Sequence, residues 1–219
     1  MPSTDLQALR TLNAAVLSDT LDSLGLMQQA MRPFMRPLDD ALQLIGRART
    51  GLYMPVFEHR AGENPYAVEI ALVDDLRPLD VVVLACNGPT DRIAPWGELL
   101  STASLARGAA GCVTDGLVRD VAQIRAMRFP VFCGGIGPLD TKGRARMVER
   151  DVPAQCAGVT VRPGDLVFGD VDGVVVVPRE READVLQRAW QKVAGENASR
   201  DALRQGEKLA DVFARLGIL

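Results

Sequence analysis

The sequence has one histidine, His59, in 219 residues. That scarcity excludes H-E-x-x-H zinc sites and any cage of several histidines. A hydrolase triad would have to use His59, which falls in the loop-like stretch VFEHRAGENPY, and no G-x-S-x-G elbow accompanies it. His59 therefore reads as an exposed loop residue. Aromatic residues make up 5% of the chain, the formal net charge is -3, and no basic block or stripe stands out. Base-stacking platforms and phosphate-binding surfaces are both disfavoured, so no nucleic-acid partner is expected. No apolar run approaches the roughly 20 residues needed to span a bilayer. Asp5, Arg10, Asp19 and Asp22 interrupt the opening stretch, which has no basic segment followed by an apolar one. These absences predict a cytoplasmic protein without membrane contact. The cysteines, Cys86, Cys112, Cys133 and Cys156, are far apart and form no C-x-x-C pair. They read as reduced thiols acting as small buried hydrophobes. Any metal must then be held by oxygen, which points to magnesium, manganese or a similar hard ion.

What the chain does have is 47% hydrophobic content, enough for one well-buried globular domain over residues 1–219 with an appendage. Residues 5–25 space their leucines as a helix that stops at Gly25. Residues 27–40, with Pro33 and Pro37, read as a connector. LIGRARTGLYMPV suits a strand, and residues 65–76 suit a helix. LDVVVLAC is a short β-branched run typical of a buried strand. A helix is predicted from Pro95-Trp96-Gly97 to Gly108, with proline in the first turn and glycine at the end. GCVTDG, the helix in VRDVAQIRAM and the strand PVFCGG complete an alternation that argues for an α/β arrangement. AQCAGVTVRPGDLVFGDVDGVVVVP then contains three β runs separated by turn signals. From about residue 179 to 219 the chain reads as a helical, amphipathic arm, broken near Gly195 and Gly206.

Two segments carry candidate chemistry. Gly97-Glu98-Leu99-Leu100 opens a helix, so its free backbone N–H groups and dipole can receive a carboxylate. Asp115-Gly116-Leu117-Val118-Arg119-Asp120 lies at a strand end, where open α/β sheets place their ligands. Arg119 can grip an anionic oxygen pair, and Asp120 can ligate a hard divalent ion. Together they suit a 2-oxo acid and the stabilisation of an enolate. By residue type alone, an Arg-Asp pair is more often a surface ion pair, and Asp115-Gly116 reads equally as an ordinary turn. Trp96, Arg92, Asp91 and His59 are candidates to line the rest of the pocket, although Trp96 serves equally as packing.

The run from Gly97-Glu98-Leu99-Leu100 through Gly108-Ala109-Ala110-Gly111-Cys112-Val113-Thr114-Asp115-Gly116 to Arg119-Asp120 resembles the signature of a known family. That family contains the regulator of ribonuclease activity A (RraA) and the class II 4-hydroxy-4-methyl-2-oxoglutarate/4-carboxy-4-hydroxy-2-oxoadipate aldolases. The spacing of Glu98 and Arg119-Asp120, with twenty residues between, matches the aldolases. The later Arg162-Pro163-Gly164-Asp165 and Asp170-Val171-Asp172-Gly173 and the early Ser18-Asp19-Thr20-Leu21-Asp22 resemble the family too, so the likeness covers nearly the whole chain.

The resemblance implies an RraA-like α/β sandwich with a swivelling, phosphohistidine-domain-like core. It adds an N-terminal helical extension over about residues 1–43 and the C-terminal arm. It implies a homotrimer or hexamer with active sites between subunits. Asp120 would ligate Mg2+ or Mn2+. Arg119 would bind substrate and stabilise the enolate, and the backbone of Gly97 to Leu100 would take the pyruvate-type carboxylate. Glu98, where the family has Asp, would hold metal-bound water and assist proton transfer. Glu196 would be the glutamate supplied by a neighbouring subunit. The implied activity is metal-dependent lyase chemistry on small 2-oxo acids, by retro-aldol cleavage or oxaloacetate decarboxylation to pyruvate. The alternative is a non-catalytic regulator that binds ribonuclease E. A menaquinone methyltransferase is disfavoured, because no glycine-rich G-x-G-x-G loop follows an N-terminal strand.

Overall fold

A computed structural model describes residues 6, 8–58 and 61–217. In chain order the elements are a 3-10 turn at Ala8–Thr11, α1 (Ala14–Ser23), β1 (Arg36–Pro37), β2 (Leu44–Pro55), α2 (Ala67–Asp74), β3 (Asp80–Ala85), α3 (Glu98–Ala106) and β4 (Gly111–Val118). There follow α4 (Val121–Ala126), β5 (Val131–Ile136), β6 (Ala145–Arg150), β7 (Ala154–Cys156), β8 (Val159–Val161), β9 (Leu166–Asp170), β10 (Gly173–Val177), a 3-10 turn at Arg179–Arg181, α5 (Glu182–Arg204) and α6 (Leu209–Leu216).

The valine run of β3 has no polar face because both of its faces are covered. Val81, Val83 and Ala85 join a core with Leu44, Val113 and Phe132, while Val82, Leu84 and Cys86 pack with Leu72, Trp96 and Ile124. Alternation with period two sends neighbours to opposite faces, and a parallel strand covered on both sides reads as continuously apolar. The main sheet runs β1-β5-β4-β3-β2-β9-β10, with β6 pairing onto β2. Strands β2 to β5 are mutually parallel, and β9, β10, β6 and β1 join antiparallel.

One segment draws the sheet nearly closed. Met31 N–H bonds Val174 O and Val176 N–H bonds Gln29 O on one edge, while Leu38 N–H bonds Val131 O on the other, each at 2.9 Å. Inside, the β7–β8 hairpin contributes Ala154, Cys156, Val159 and Val161 to the same core as Phe132 and Val174. Gly169 of β9 is needed there, since a Cβ would lie 2.9 Å from the Phe132 ring.

Helices α2, α3 and α4 cover one outer face. Helices α1 and α5 cover the β9–β10 side, where Leu17, Leu21, Val185 and Ala189 meet Phe168 and Val175. Asn13 caps α1 by accepting from Val16 N–H at 2.8 Å. Glu182 fixes the start of α5 by a bidentate pair with Arg47, one arm of which is 2.9 Å. No described helix is long and apolar enough to cross a membrane.

Several expectations are corrected. The N-terminal helix begins at Ala14, behind a separate 3-10 turn, because Asn13 caps it there. The connector carries β1, a two-residue strand. AQCAGVTV is a hairpin turning at Ala157-Gly158, so the region expected to hold three strands holds four. Strand β6 was not anticipated, because ARMVER buries only Ala145 and Met147 and its charged residues face outward. Gly195 does not break the arm. The roughly 1 kcal/mol that glycine costs inside a helix is offset by α5 packing on α1, with a Lys192–Asp19 ion pair at 3.1 Å. The break at Gly206 is real, and α6 follows it.

Candidate functional site

A cleft of about 210 Å³ opens where the segments after β3, β4 and β5 meet α2 and the start of α3. This is the carboxyl end of the parallel strands, the position expected for a ligand in such a sheet. Gly97, Leu99, Leu100, Arg119 and Asp120 all line it. Trp96 is both lining and packing. It is 1% exposed, its indole N–H donates to Ser101 Oγ at 2.8 Å, and its carbonyl accepts from Arg119 N–H at 3.0 Å. That last bond sets the Arg119-Asp120 turn against the start of α3.

Asp120 adopts the left-handed conformation (φ 57°, ψ 34°), which Asp tolerates better than most residues. Although it precedes α4, its side chain does not cap that helix. The carboxylate turns to α3 instead, and Oδ2 accepts from Glu98 N–H at 3.2 Å. Gly97 is required at this contact, because a Cβ would lie 2.7 Å from Asp120 Oδ2 and 3.2 Å from Arg119 Cγ. The Arg119 guanidinium stands 3.8 Å from Asp120 Oδ2 and 3.7 Å from Asp140 Oδ1. Both separations exceed hydrogen-bond range, so its planar donors are available to a ligand.

Asp140 follows β5. Partial burial disfavours its charge, but Tyr66 O–H at 2.5 Å, the N–H groups of Thr141 and Lys142, and Arg119 together hold its pKa below the ordinary carboxylate value. Burial, reinforced by Asp140, pushes Tyr66 up to about 12. Glu69, on α2, is 8% exposed and accepts a hydrogen bond from the fully enclosed Tyr53 hydroxyl. Its burial raises its pKa to about 7, with Asp140 adding to the rise and the Tyr53 bond and Arg119 opposing it.

Tyr66, Glu69, Asp140 and Thr141 were not anticipated as site residues. The one signal for Asp140 was its place in GIGPLDTKG, a glycine- and proline-rich stretch directly after a strand. Glu98 opens α3, but its carboxylate accepts from Thr102 on the same helix at 2.8 Å and is not part of the cleft lining. Glu196 lies on α5, paired with Lys192 and Arg200, on the other side of the sheet from the cleft of its own chain. Arg92 lies over the Phe57 ring and lines a separate, smaller hollow with Tyr53 and Arg144. Asp91 is exposed. His59 falls outside the described residues.

Asp115 is not in a turn. It lies inside β4, 1% exposed, and its carboxylate accepts backbone N–H from Cys86, Gly88 and Ala157. The cysteines are all free and buried, and burial raises their thiol pKa values, as expected of inert core thiols. Among the described residues no three His, Cys, Asp or Glu side chains converge as a metal cage. Asp120, its side chain 44% exposed, is the most exposed of the cleft carboxylates.

The sequence model of the RraA-like family (Aldolase/RraA) matches residues 14–176. A protein of Halalkalibacterium halodurans named "Putative 4-hydroxy-4-methyl-2-oxoglutarate aldolase" is 35% identical over 194 residues, covering 89% of this chain and 86% of that one. Protein DlpA of Legionella pneumophila is 32% identical over 204 residues, which is 93% of this chain but only 32% of DlpA. The crystal structure of Streptomyces coelicolor RraAS2, described as an unusual member of the RNase ES inhibitor RraA protein family, superposes with a TM-score of 0.81 at 28% identity, covering 91% of this chain and 97% of that one.

Proposed function

The chain belongs to the RraA-like family, and on that premise we propose that it is a divalent-metal-dependent lyase of small 2-oxo acids. The reaction is retro-aldol cleavage of a 4-hydroxy-4-methyl-2-oxoglutarate-type substrate, or decarboxylation of oxaloacetate, through a pyruvate enolate. The observation that carries this reading is the convergence of Arg119, Asp120 and the start of α3 on one cleft. The protein works as a homo-oligomer, a trimer or hexamer, in the cytoplasm. Leu99, Leu209 and Phe213, all large and exposed, give such an assembly apolar surface to cover.

The donor set fits magnesium or manganese. These ions accept one protein carboxylate with water in the remaining positions, and Asp120 offers one half-exposed carboxylate in a chain poor in histidine. Bound there, the ion supplies Lewis-acid polarisation of the substrate's 2-oxo group. Arg119 binds the substrate's anionic oxygens in its fork and stabilises charge as the enolate develops. The first turn of α3, through Leu99 and Leu100 N–H and the helix dipole, receives the pyruvate-type carboxylate. Glu98 assists proton transfer through water once it leaves Thr102, and Glu196 reaches the neighbouring subunit's site.

Pyruvate release from oxaloacetate and from 4-hydroxy-4-methyl-2-oxoglutarate tests this, with magnesium or manganese and again with a chelator. Chelator-sensitive release from either substrate is expected. The likeness to RraAS2 favours a second reading, a protein-binding regulator. Stoichiometric ribonuclease E binding by a folded, metal-loaded sample that releases no pyruvate would establish it in place of the lyase.

A further inference from the structure

Resting on the lyase reading, we propose that Glu69 is the acid that protonates the pyruvate enolate at C3, and the base that removes that proton in reverse. Glu69 lines the cleft together with Arg119 and Asp140. It is 8% exposed, and no cation lies within ion-pair distance of it among the described residues. A carboxyl in that setting favours its neutral form. Tyr53 O–H donates to Oε2, which leaves the acid proton to Oε1. Oε1 has no hydrogen-bond partner among the described residues and is not a buried orphan, so it keeps access to the cleft.

The other acids of the cleft are unsuited to the task. Asp140 is held charged by Tyr66, Thr141 and Arg119, after those contacts outweigh its partial burial. Tyr66 is pushed up to about 12 and its proton is committed to Asp140. Asp120 is the proposed metal ligand, and Glu98, outside the cleft lining, serves only through water and does not reach C3 itself. Glu69 alone combines access with a pKa near the working pH, about 7, which is where general acid catalysis is most effective. The ionisable groups facing it are Tyr53 from β2, Tyr66 from the position just before its own helix, Cys86 after β3, Arg119 after β4 and Asp140 after β5. On β6, Arg150 bonds instead to Ala71 and Asp75 at the far end of α2.

The proton balance closes. In cleavage the C4 hydroxyl loses its proton, the C3–C4 bond breaks, and its electron pair passes into the enolate. The Glu69 O–H bond then breaks as the C3–H bond forms, and water reprotonates the carboxylate. The proton released from the hydroxyl equals the one taken up. In decarboxylation carbon dioxide leaves and one proton is consumed from solvent through Glu69. By microscopic reversibility, removal of a pyruvate methyl proton requires Glu69 as carboxylate. That half-reaction therefore speeds up as pH rises through about 7.

The test is deuterium exchange into the pyruvate methyl group, followed by NMR in D2O with the magnesium-loaded protein, beside oxaloacetate decarboxylation. Wild type is expected to exchange, with the rising pH limb. Glu69→Gln is expected to lose about 100-fold or more of the exchange and the limb with it, while decarboxylation falls far less, since enolpyruvate can leave and be protonated in water. Glu69→Asp should recover part of the exchange. In the metal-free protein, carboxyl-13C glutamate NMR should show one titration near pH 7 that Glu69→Gln removes. Wild-type exchange rates in Glu69→Gln, or no glutamate titrating near 7, would overturn the role of Glu69 and leave the lyase intact. A wild type that neither exchanges nor cleaves overturns the lyase reading itself.

Discussion

Asp115→Ala should be among the most destabilising substitutions in this chain that remove no apolar packing. The Asp115 carboxylate, 1% exposed, accepts Cys86 N–H at 2.6 Å, Gly88 N–H at 2.9 Å and Ala157 N–H at 3.2 Å. Those donors belong to the end of β3, the loop after it, and the β7–β8 turn. One side chain thus ties together segments far apart in sequence. Alanine leaves all of these N–H groups without that acceptor, and each orphaned buried donor costs about 1–3 kcal/mol. Part is returned because a carboxylate no longer has to be desolvated, an expense of several kcal/mol in such a setting. The orphaned donors together cost about 3–9 kcal/mol, and after that return a net loss of about 2–4 kcal/mol is expected, against the roughly 5–15 kcal/mol that holds a typical domain together. Urea unfolding followed by Trp96 and Trp190 fluorescence measures it, as a shift of midpoint at unchanged slope. Asp115→Asn, which keeps one acceptor oxygen, should lose less. A loss under about 1 kcal/mol for Asp115→Ala would show that the three bonds are replaceable and that the clamp is misread.

The remaining predictions separate chemistry from stability. Arg119→Ala should lower pyruvate release about 1000-fold, while its long, half-exposed ion pairs imply a stability change under about 1 kcal/mol, readable by thermal melting. Arg119→Lys should not restore the rate, because a single ammonium lacks the planar fork. Gly97→Ala should cost about 10- to 100-fold in turnover with little change in melting temperature. Its φ of -154° suits any residue, but the new Cβ, 2.7 Å from Asp120 Oδ2, displaces that carboxylate. Glu69 makes stability depend on pH. Its pKa rises on folding from an ordinary 4.5 to about 7, so the folded state binds the extra proton between those values. Its contribution is fully present below about 4.5 and is lost as pH rises through about 7, a swing of roughly 3 kcal/mol. Unfolding of wild type and Glu69→Gln compared at pH 4.5 and pH 8 should therefore show the Gln variant gaining relative stability at the higher pH, and parallel curves would refute the shift.

Elements whose residues carry their own signal were legible in the sequence. Strand β3 announced itself because a short β-branched run between turn signals reads as buried on both faces, and α3 because Gly108 follows its end, although the helix starts at Glu98 and leaves Pro95 outside its first turn. The Gly97-to-Asp120 spacing stood out only through the family resemblance, since by residue type alone an Arg-Asp pair reads as a surface ion pair. What escaped depends on distant neighbours. Strand β6 is one-sided, so its arginines resemble a surface loop. Gly195 signals a break that packing on α1 suppresses. Asp115-Gly116 has the composition of a turn and is instead a buried acceptor within a strand.

Glu69 is the sharpest case. In AVEIALVD the Glu69 carboxylate reads as the solvated side of a helix, and only the closing of the cleft puts Tyr53, Asp140 and Arg119 around it. The same arrangement couples its proton to substrate. Arg119 is the cation that draws Glu69 toward ionisation, and in the proposed mechanism it is also the group that receives the 2-oxo acid. Once its charge is answered by substrate, that pull on Glu69 weakens, and the carboxyl holds its proton more firmly. By linkage, protonated Glu69 favours substrate binding by the same factor. A cleft already bearing the carboxylates of Asp120 and Asp140 thus admits a further anion most readily when Glu69 is neutral, the state in which it can donate to the enolate.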